Sequence, residues 1–300
     1  MSSGELLKDT ANLSVDSLKR EEYGTDFSEV KTVLCPENVS LEKEGTEYGE
    51  VCHFEYFSNT TGCKRGANIL LPAGYDKNKK YPVLFFLHGI FGDEFSMIND
   101  QNSNIRFLAG NLVKEGSVDD AVVVFPNMFA TGNPKLKPGF SLEETLPYDN
   151  FINDLTDDLI PYVEANYSVM TDRDHRGLIG FSMGGRETLF IGLSRSDLFS
   201  CFCAISPAPG LVPGKDRFME HVGQFKEEEV EIKKKDFLPK LVMILCGTKD
   251  GVVGTFPKEY HELFDKNGIE HLWYEVPEAD HDANAIKSGL FNFLIRWQSK

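Results

Sequence analysis

Long apolar runs are missing from this chain. Charged residues are spread along all 300 positions, and no stretch approaches the ~20 apolar residues that a helix needs to cross a bilayer, which excludes a membrane-spanning role. Positive charge is in deficit: 31 Lys and Arg stand against 47 Asp and Glu, for a net charge of −16. The basic face that displaces counterions from phosphates is therefore absent, so neither nucleic acid nor anionic lipid is expected as a partner. Cysteine is sparse, six in the whole chain with no C-x-x-C pair, too few for a disulfide scaffold. Cys201 and Cys203, two apart in an apolar run, read as small buried hydrophobes on one face of a strand. No H-E-x-x-H or similar spacing occurs, so no metal site is expected. The opening MSSGELLKDT lacks a basic start followed by an apolar stretch. A cytoplasmic location is expected for the chain as written, and a secreted one if a leader has been removed. Four N-x-S/T sequons, at Asn12, Asn38, Asn59 and Asn166, would permit glycosylation in a secretory pathway.

What is present is a change of pattern along the chain. Residues 1–48 are polar and acidic, and are expected to form an N-terminal extension outside the core, ahead of one catalytic-size domain over 49–300. The segment EVCHFEYFS alternates Cys52, Phe54 and Tyr56 with His53 and Glu55, and ANILLP follows a Gly-containing turn, which predicts an antiparallel hairpin. From residue 81 onward, apolar runs at 83–87, 121–125, 178–181, 201–205, 241–246 and 272–276 predict strands covered on both faces, the condition of a parallel sheet. Helical patterns lie between them, at 104–115, 151–163, 183–193, 258–266 and 283–298. In the second of these Phe151, Leu155, Leu159 and Val163 form the apolar stripe, Asp149, Asp154, Asp157 and Asp158 fall mostly on other faces, and Pro161 should kink or break the helix. The result is an α/β sheet of about eight strands, mostly parallel, with helices on both faces. Two long connections, 127–147 and 207–240, are placed to build a pocket or its lid.

The chemistry concentrates in GFSMGG, residues 180–185, which fits G-x-S-x-G where a strand must pass into a helix. In a nucleophile elbow the serine has strained dihedrals and its flanking glycines remove side chains that would clash, so Ser182 is the expected nucleophile. A serine alcohol needs a base to take its proton and a carboxylate to orient that base. Of seven histidines, His281 alone follows the last strand and precedes the last helix, where the chain order Ser, Asp or Glu, His puts the base. Asp250, in a Gly-flanked loop after the preceding strand, is the expected orienter, with Glu275 and Glu278 as rivals. The backbone N–H groups of Ile90, in the loop after the third strand, and Met183, after the nucleophile, are the expected oxyanion donors. His88 in the same loop reads as a hydrogen-bonded structural residue. Phe91, Phe129, Phe140 and Tyr148 lie in or beside loops at the mouth, where they either stack on an aromatic acyl group or pack the lid against the sheet.

Taken together, TTGCKRGANILLPAGYDKNKKYPVLFFLHGIFGDE, VVVFPNMFATG, the stretch from YDNF to GFSMGG, ISPAPG and CGTKDGVV resemble the putative esterase family that includes the feruloyl esterases of xylan-degrading systems, carbohydrate esterase family 1. The resemblance runs from about Val51 to Trp297. It implies an α/β-hydrolase fold, no cofactor, and hydrolysis of feruloyl esters on arabinoxylan, with feruloylated or acylated xylan oligosaccharides as partners. It puts the nucleophile on Ser182, the aspartate of the triad on Asp250 and the histidine on His281, and it places Pro207 of ISPAPG at the pocket with Phe91 and Phe129. The alternatives are an acetylxylan or other short-chain acyl esterase of the S-formylglutathione hydrolase type, and, from another class, a noncatalytic binding module on the same scaffold.

Overall fold

The computed structural model describes residues 34–98 and 102–297. The first 33 residues of the expected extension, the sequon at Asn12 and the last residue of the helix expected at 283–298 lie outside the described residues. Ten strands are described: β1 (Glu50–Ser58), β2 (Cys63–Leu71), β3 (Val83–Leu87), β4 (Val122–Pro126), β5 (Arg176–Phe181), β6 (Cys201–Ile205), β7 (Gly214–Lys215), β8 (Glu220–His221), β9 (Leu241–Gly247) and β10 (Leu272–Val276). Eight of them form one sheet in the order β1-β2-β4-β3-β5-β6-β9-β10. The β1–β2 and β2–β4 pairs are antiparallel, and the rest of that sheet is parallel. This is the α/β-hydrolase arrangement expected from the chain, with its N-terminal hairpin at one edge.

The apolar runs explain the layering, because each central strand sends alternate residues to opposite faces. Val83, Phe85 and Leu87 join one core cluster, while Leu84 and Phe86 join the other. The helices are α1 (Ile105–Lys114), α2 (Leu142–Asp149), α3 (a helical segment over 151–166), α4 (Met183–Ser194), α5 (Phe256–Lys266) and α6 (Ala283–Trp297), of which α3, α4 and α5 cover the first face. Helices α1 and α6 cover the second face through Ile105, Leu108, Leu112, Ile286, Leu290 and Phe293. Among the described residues no helix is long and apolar enough to cross a membrane.

Several expectations need correction. Residues 34–48 are not outside the core: Val39 is fully buried in the second cluster, Asn111 of α1 donates to the Val39 and Leu41 carbonyls, and the Tyr48 hydroxyl bonds Asn111 Oδ1 at 2.9 Å. Pro161 does not end α3. Asp154–Leu159 takes a π-helical register just ahead of it, so that the proline opens the next helical turn, where its missing N–H is tolerated. Asp154 and Asp158 are buried rather than solvated. The Asp154 carboxylate accepts from Tyr56 Oη at 2.6 Å and Arg65 Nε at 3.0 Å, and Asp158 accepts from Asn59 Nδ2 and the Thr60 N–H, so the two acids fasten the β1–β2 hairpin to α3. The connection 127–147 contains most of α2, begun by a capping box between Ser141 and Glu144, and the connection 207–240 carries the small β7–β8 hairpin.

Candidate active site

Three loops at the carboxyl edge of the sheet carry the candidate residues. At the end of β5 the backbone turns directly into α4, and Ser182 holds the turn with φ 58° and ψ −118°, a conformation that L residues rarely adopt. The turn has no room for side chains on its inner side. A Cβ on residue 180 would stand 2.1 Å from the Gly184 carbonyl oxygen, and one on residue 184 would stand 2.6 Å from the Leu87 and His88 carbonyl oxygens, which accounts for both glycines. The elbow is fixed by backbone bonds on both sides: the Ser182 N–H donates to Ile205 O at 2.9 Å, and the Ser182 carbonyl accepts from the N–H groups of Arg186 and Ala208. Pro207, expected at the pocket, is buried against this elbow, its Cα close to Gly185.

The loops after β9 and β10 are zipped together. Thr248 and Lys249 donate their N–H groups to the carbonyls of Val276 and Ala279, and the Glu278 N–H donates to Thr248 Oγ1. This brings His281 Nδ1 to 2.9 Å from Asp250 Oδ2, with the carboxylate almost fully buried and the imidazole 13% exposed. The second oxygen of Asp250 accepts from the N–H groups of Val252 and Val253, so the carboxylate is held at both ends. Burial by itself would push the Asp250 carboxyl up; the hydrogen bond and charge of His281 outweigh it and hold the group below its ordinary value. The acceptor at Nδ1 assigns the ring proton there and leaves Nε2 with a free lone pair. Neither rival for the orienting role, Glu275 or Glu278, bonds the ring: Glu278 pairs with Lys249, and of the neighbouring acids Asp280 accepts from the His281 backbone N–H at 2.7 Å. The imidazole lies on the ring of Phe181, the residue before the serine, with centroids 4.4 Å apart. Among the described residues no hydrogen bond is formed between the Ser182 hydroxyl and His281; the contacts of His281 are with Asp250 and with Phe181, the neighbour of Ser182 in the chain.

The loop after β3 supplies the facing wall, and a Cβ on Gly89 would lie 3.4 Å from Ser182 Cβ. Met183 occupies the first position of α4, where a helix N–H has no partner within the helix. Ile90 packs on the core next to it. Phe91, the residue after Ile90, is also left-handed (φ 65°), and its N–H donates to the Tyr148 hydroxyl at 3.3 Å. Tyr148 is fully buried, which pushes its phenol up to about 12. His88 accepts the Met128 N–H at Nε2 and meets the Gly89 carbonyl through Nδ1 at 2.7 Å; burial pushes it down to about 4, so it is a neutral strut of this loop.

The aromatic residues divide. Phe91 is 59% exposed at the rim, packs edge-on to Phe140 at 5.3 Å, and Phe140 stacks on Phe218 of the β7–β8 hairpin at 4.5 Å. The Arg217 guanidinium caps this row 4.6 Å from the Phe218 ring centre. Phe129 is instead half-buried in edge-to-face contact with Tyr148 at 5.3 Å, and serves packing. Sequence reasoning also missed a buried charge cluster behind the elbow. Arg186 bonds Asp149 Oδ1 at 2.5 Å and Glu187 Oε1 through two nitrogens, and Gln224 Nε2 donates to both carboxylates. The available signal was Arg186-Glu187 itself, two charges on a helix that is otherwise small or apolar.

A family model described as putative esterase matches residues 58–283. A CE1 ferulic acid esterase from Anaeromyces mucronatus, solved in complex with ferulic acid, superposes with a TM-score of 0.85 at 41% identity, over 90% of this chain and 99% of that one. An endo-1,4-beta-xylanase/feruloyl esterase of Xylanibacter ruminicola is 28% identical over 71% of this chain and 26% of its own length. The chain thus spans about a quarter of that relative, and 14% of a second, endo-1,4-beta-xylanase Y of Acetivibrio thermocellus. S-formylglutathione hydrolase from Staphylococcus aureus shares the fold at 18% identity and a TM-score of 0.62.

Proposed function

We propose, from the premise that the chain belongs to the putative esterase family, in carbohydrate esterase family 1, that it hydrolyses feruloyl esters of plant cell-wall xylan through an acyl-enzyme on Ser182. The observation that carries the reading is the pairing of a left-handed Ser182 at a strand-to-helix elbow with an imidazole whose Nδ1 is tied to a buried carboxylate. Asp250 holds the His281 ring and tautomer, and stabilises the imidazolium that forms. His281 Nε2 takes the hydroxyl proton as the substrate enters and draws the two side chains together, since catalytic hydrogen bonds tighten in the substrate complex. Ser182 Oγ then attacks the ester carbonyl. The oxyanion is met by the N–H groups of Ile90 and Met183, the second reinforced by the positive end of α4. The imidazolium returns its proton to the departing sugar alcohol, and water, activated by the same base, releases the acid and restores Ser182.

The aromatic row of Phe91, Phe140 and Phe218 supports an aryl acyl group over a short one, because exposed rings at a site mouth offer a flat apolar platform to a cinnamoyl ring. The ferulic acid bound by the Anaeromyces relative agrees with that choice. The test is turnover of methyl ferulate and p-nitrophenyl acetate by the wild type, Ser182→Ala and Phe218→Ala. Retained hydrolysis in Ser182→Ala removes the mechanism. Equal loss on both esters in Phe218→Ala, or a wild-type preference for acetate, removes the feruloyl assignment and leaves a short-chain esterase.

A further inference from the structure

Far from the elbow, the C-terminal end of α5 meets the start of β10. His261 and Asp265 stand one turn apart on α5; the helix then stops at Asn267-Gly268, with Gly268 left-handed (φ 69°), and the reversing chain brings His271 back alongside. One ligand atom of each residue lies within 4.8 Å of the others. His261 Nδ1 is 2.8 Å from His271 Nε2, and His261 Nε2 is 3.6 Å from Asp265 Oδ2.

The partners of the two rings fix their orientation. His271 Nδ1 faces the Ile269 carbonyl at 2.7 Å and must donate, so its Nε2 carries a lone pair. That lone pair faces His261 Nδ1, which must then hold the proton between the rings. His261 Nε2 in turn points toward the Asp265 carboxylate, so the three side chains present their ligand atoms to one another around a single small volume.

The geometry points to a divalent transition-metal site, with zinc as the ion it fits, in which the metal replaces the proton shared by His261 and His271 and Asp265 supplies the third ligand. Two imidazoles and a carboxylate form a donor set suited to zinc and unsuited to calcium or magnesium. The outer contacts are those of metal-bound histidines. The Ile269 carbonyl orders the His271 ring, and the indole of Trp273 stacks on His261 at 5.1 Å and 4°. Zn–N bonds of about 2.0–2.1 Å in a tetrahedral site set the two nitrogens about 3.3 Å apart, so a small widening suffices, and the Asp265 carboxylate, 63% exposed, is free to swing in. The two histidines are ten positions apart, which keeps the closure inexpensive. The metal would clip α5 to the outermost strand of the sheet. Because β10 runs five residues, roughly 16 Å, before the chain reaches the loop of His281, the clip acts on stability and not on turnover.

The test uses the whole chain, stripped with a chelator and then titrated with zinc chloride by calorimetry, alongside thermal melts and cobalt(II) absorption. One zinc per chain is expected at micromolar or tighter affinity, with a rise in Tm of several degrees and the intense visible bands of four-coordinate cobalt. Asp265→Asn and His261→Gln, both at partly exposed positions, should each weaken zinc binding at least tenfold while leaving the metal-free Tm and esterase turnover near wild type. Absence of saturable binding below millimolar zinc would leave the three side chains as a plain hydrogen-bonded cluster and overturn the proposal. Zinc binding unchanged in both variants would place the metal elsewhere and overturn it equally. Neither result bears on the esterase reading.

Discussion

Replacing Arg186 with methionine tests how the active-site loops are held. The guanidinium is 4% exposed and neutralises two carboxylates, Asp149 at the end of α2 and Glu187 on α4, while Gln224 from the long 207–240 connection donates to both. Methionine fills a similar volume but leaves the two acids facing each other with only the Gln224 amide between them. Removing one partner of a buried ion pair costs about 3–5 kcal/mol, a large part of the 5–15 kcal/mol by which a domain is stable. In urea this is a fall in midpoint of roughly 1–2 M. The sign of the pH dependence follows from Glu187, which burial pushes up to about 7 despite Arg186. Its folded pKa lies above the unfolded value, so its contribution is fully present below pH ~4.5 and is lost as pH rises through 7. Without Arg186 the group is pushed higher still, so the penalty of the variant should be larger at pH 8 than at pH 5. Urea denaturation of both proteins at the two pH values measures it. A difference under ~1 kcal/mol at pH 8, or the same difference at both pH values, refutes the claim that this guanidinium compensates a buried excess of negative charge.

Asp250→Asn should keep the fold, since the Val252 and Val253 N–H groups can still be accepted, but lower kcat by about 10³–10⁴ through the wrong imidazole tautomer; steady-state kinetics with methyl ferulate checks it. Tyr148→Phe removes the acceptor of the Phe91 N–H next to the oxyanion loop; a loss of ~1–2 kcal/mol lowers kcat roughly 5–30-fold with KM little changed, and an effect on KM alone would show that the bond does not position this loop. His88, pushed down to about 4 by burial, stays neutral while an unfolded chain takes up a proton near pH 6.5, so stability is lost as pH falls from 6.5 toward 4, by about 2 kcal/mol at pH 5. Urea midpoints of wild type and His88→Asn at pH 8 and pH 5 measure this, and an equal acid loss in both would assign it to other groups.

How much of this was legible depended on whether the interaction was local. The strands were, because five-residue apolar runs such as Val83–Leu87 admit few other readings, and so was the elbow, where glycine, serine and glycine must follow one another for steric reasons. Helix α2 was hidden by Pro147 in its interior, although the Ser141 and Glu144 pair is a readable cap. The burial of Asp154 and Asp158, placed off the apolar stripe, was not legible because their partners, Arg65 and Asn59, lie 89 and 99 positions away. The same distance conceals the aromatic row: Phe140 and Phe218 stack only after the β7–β8 hairpin folds over α2, and nothing in either segment announces the other.

The site is also where the backbone departs most from ordinary geometry. Among the described residues five non-glycines have positive φ, and four of them follow strand ends at one edge of the sheet: Phe91 after β3, Ser182 after β5, Ser206 after β6 and Glu278 after β10. The fifth, Asn104, is of a type that tolerates this region, whereas each of the four costs about 1–3 kcal/mol. A chain under no other demand would place glycine at such turns. Each of the four makes a connection that the site uses. Ser182 lifts the hydroxyl off the sheet, and Phe91 hands its N–H to Tyr148. Ser206 donates its N–H to the Leu245 carbonyl at 2.7 Å, and Glu278 bonds Thr248 and so brings the loop of His281 against that of Asp250. The flanking parallel strands, buried on both faces, are rigid enough to hold four strained turns at once, and it is this rigidity that lets Asp250 and His281, 31 positions apart, meet at the edge where the chain turns at Ser182.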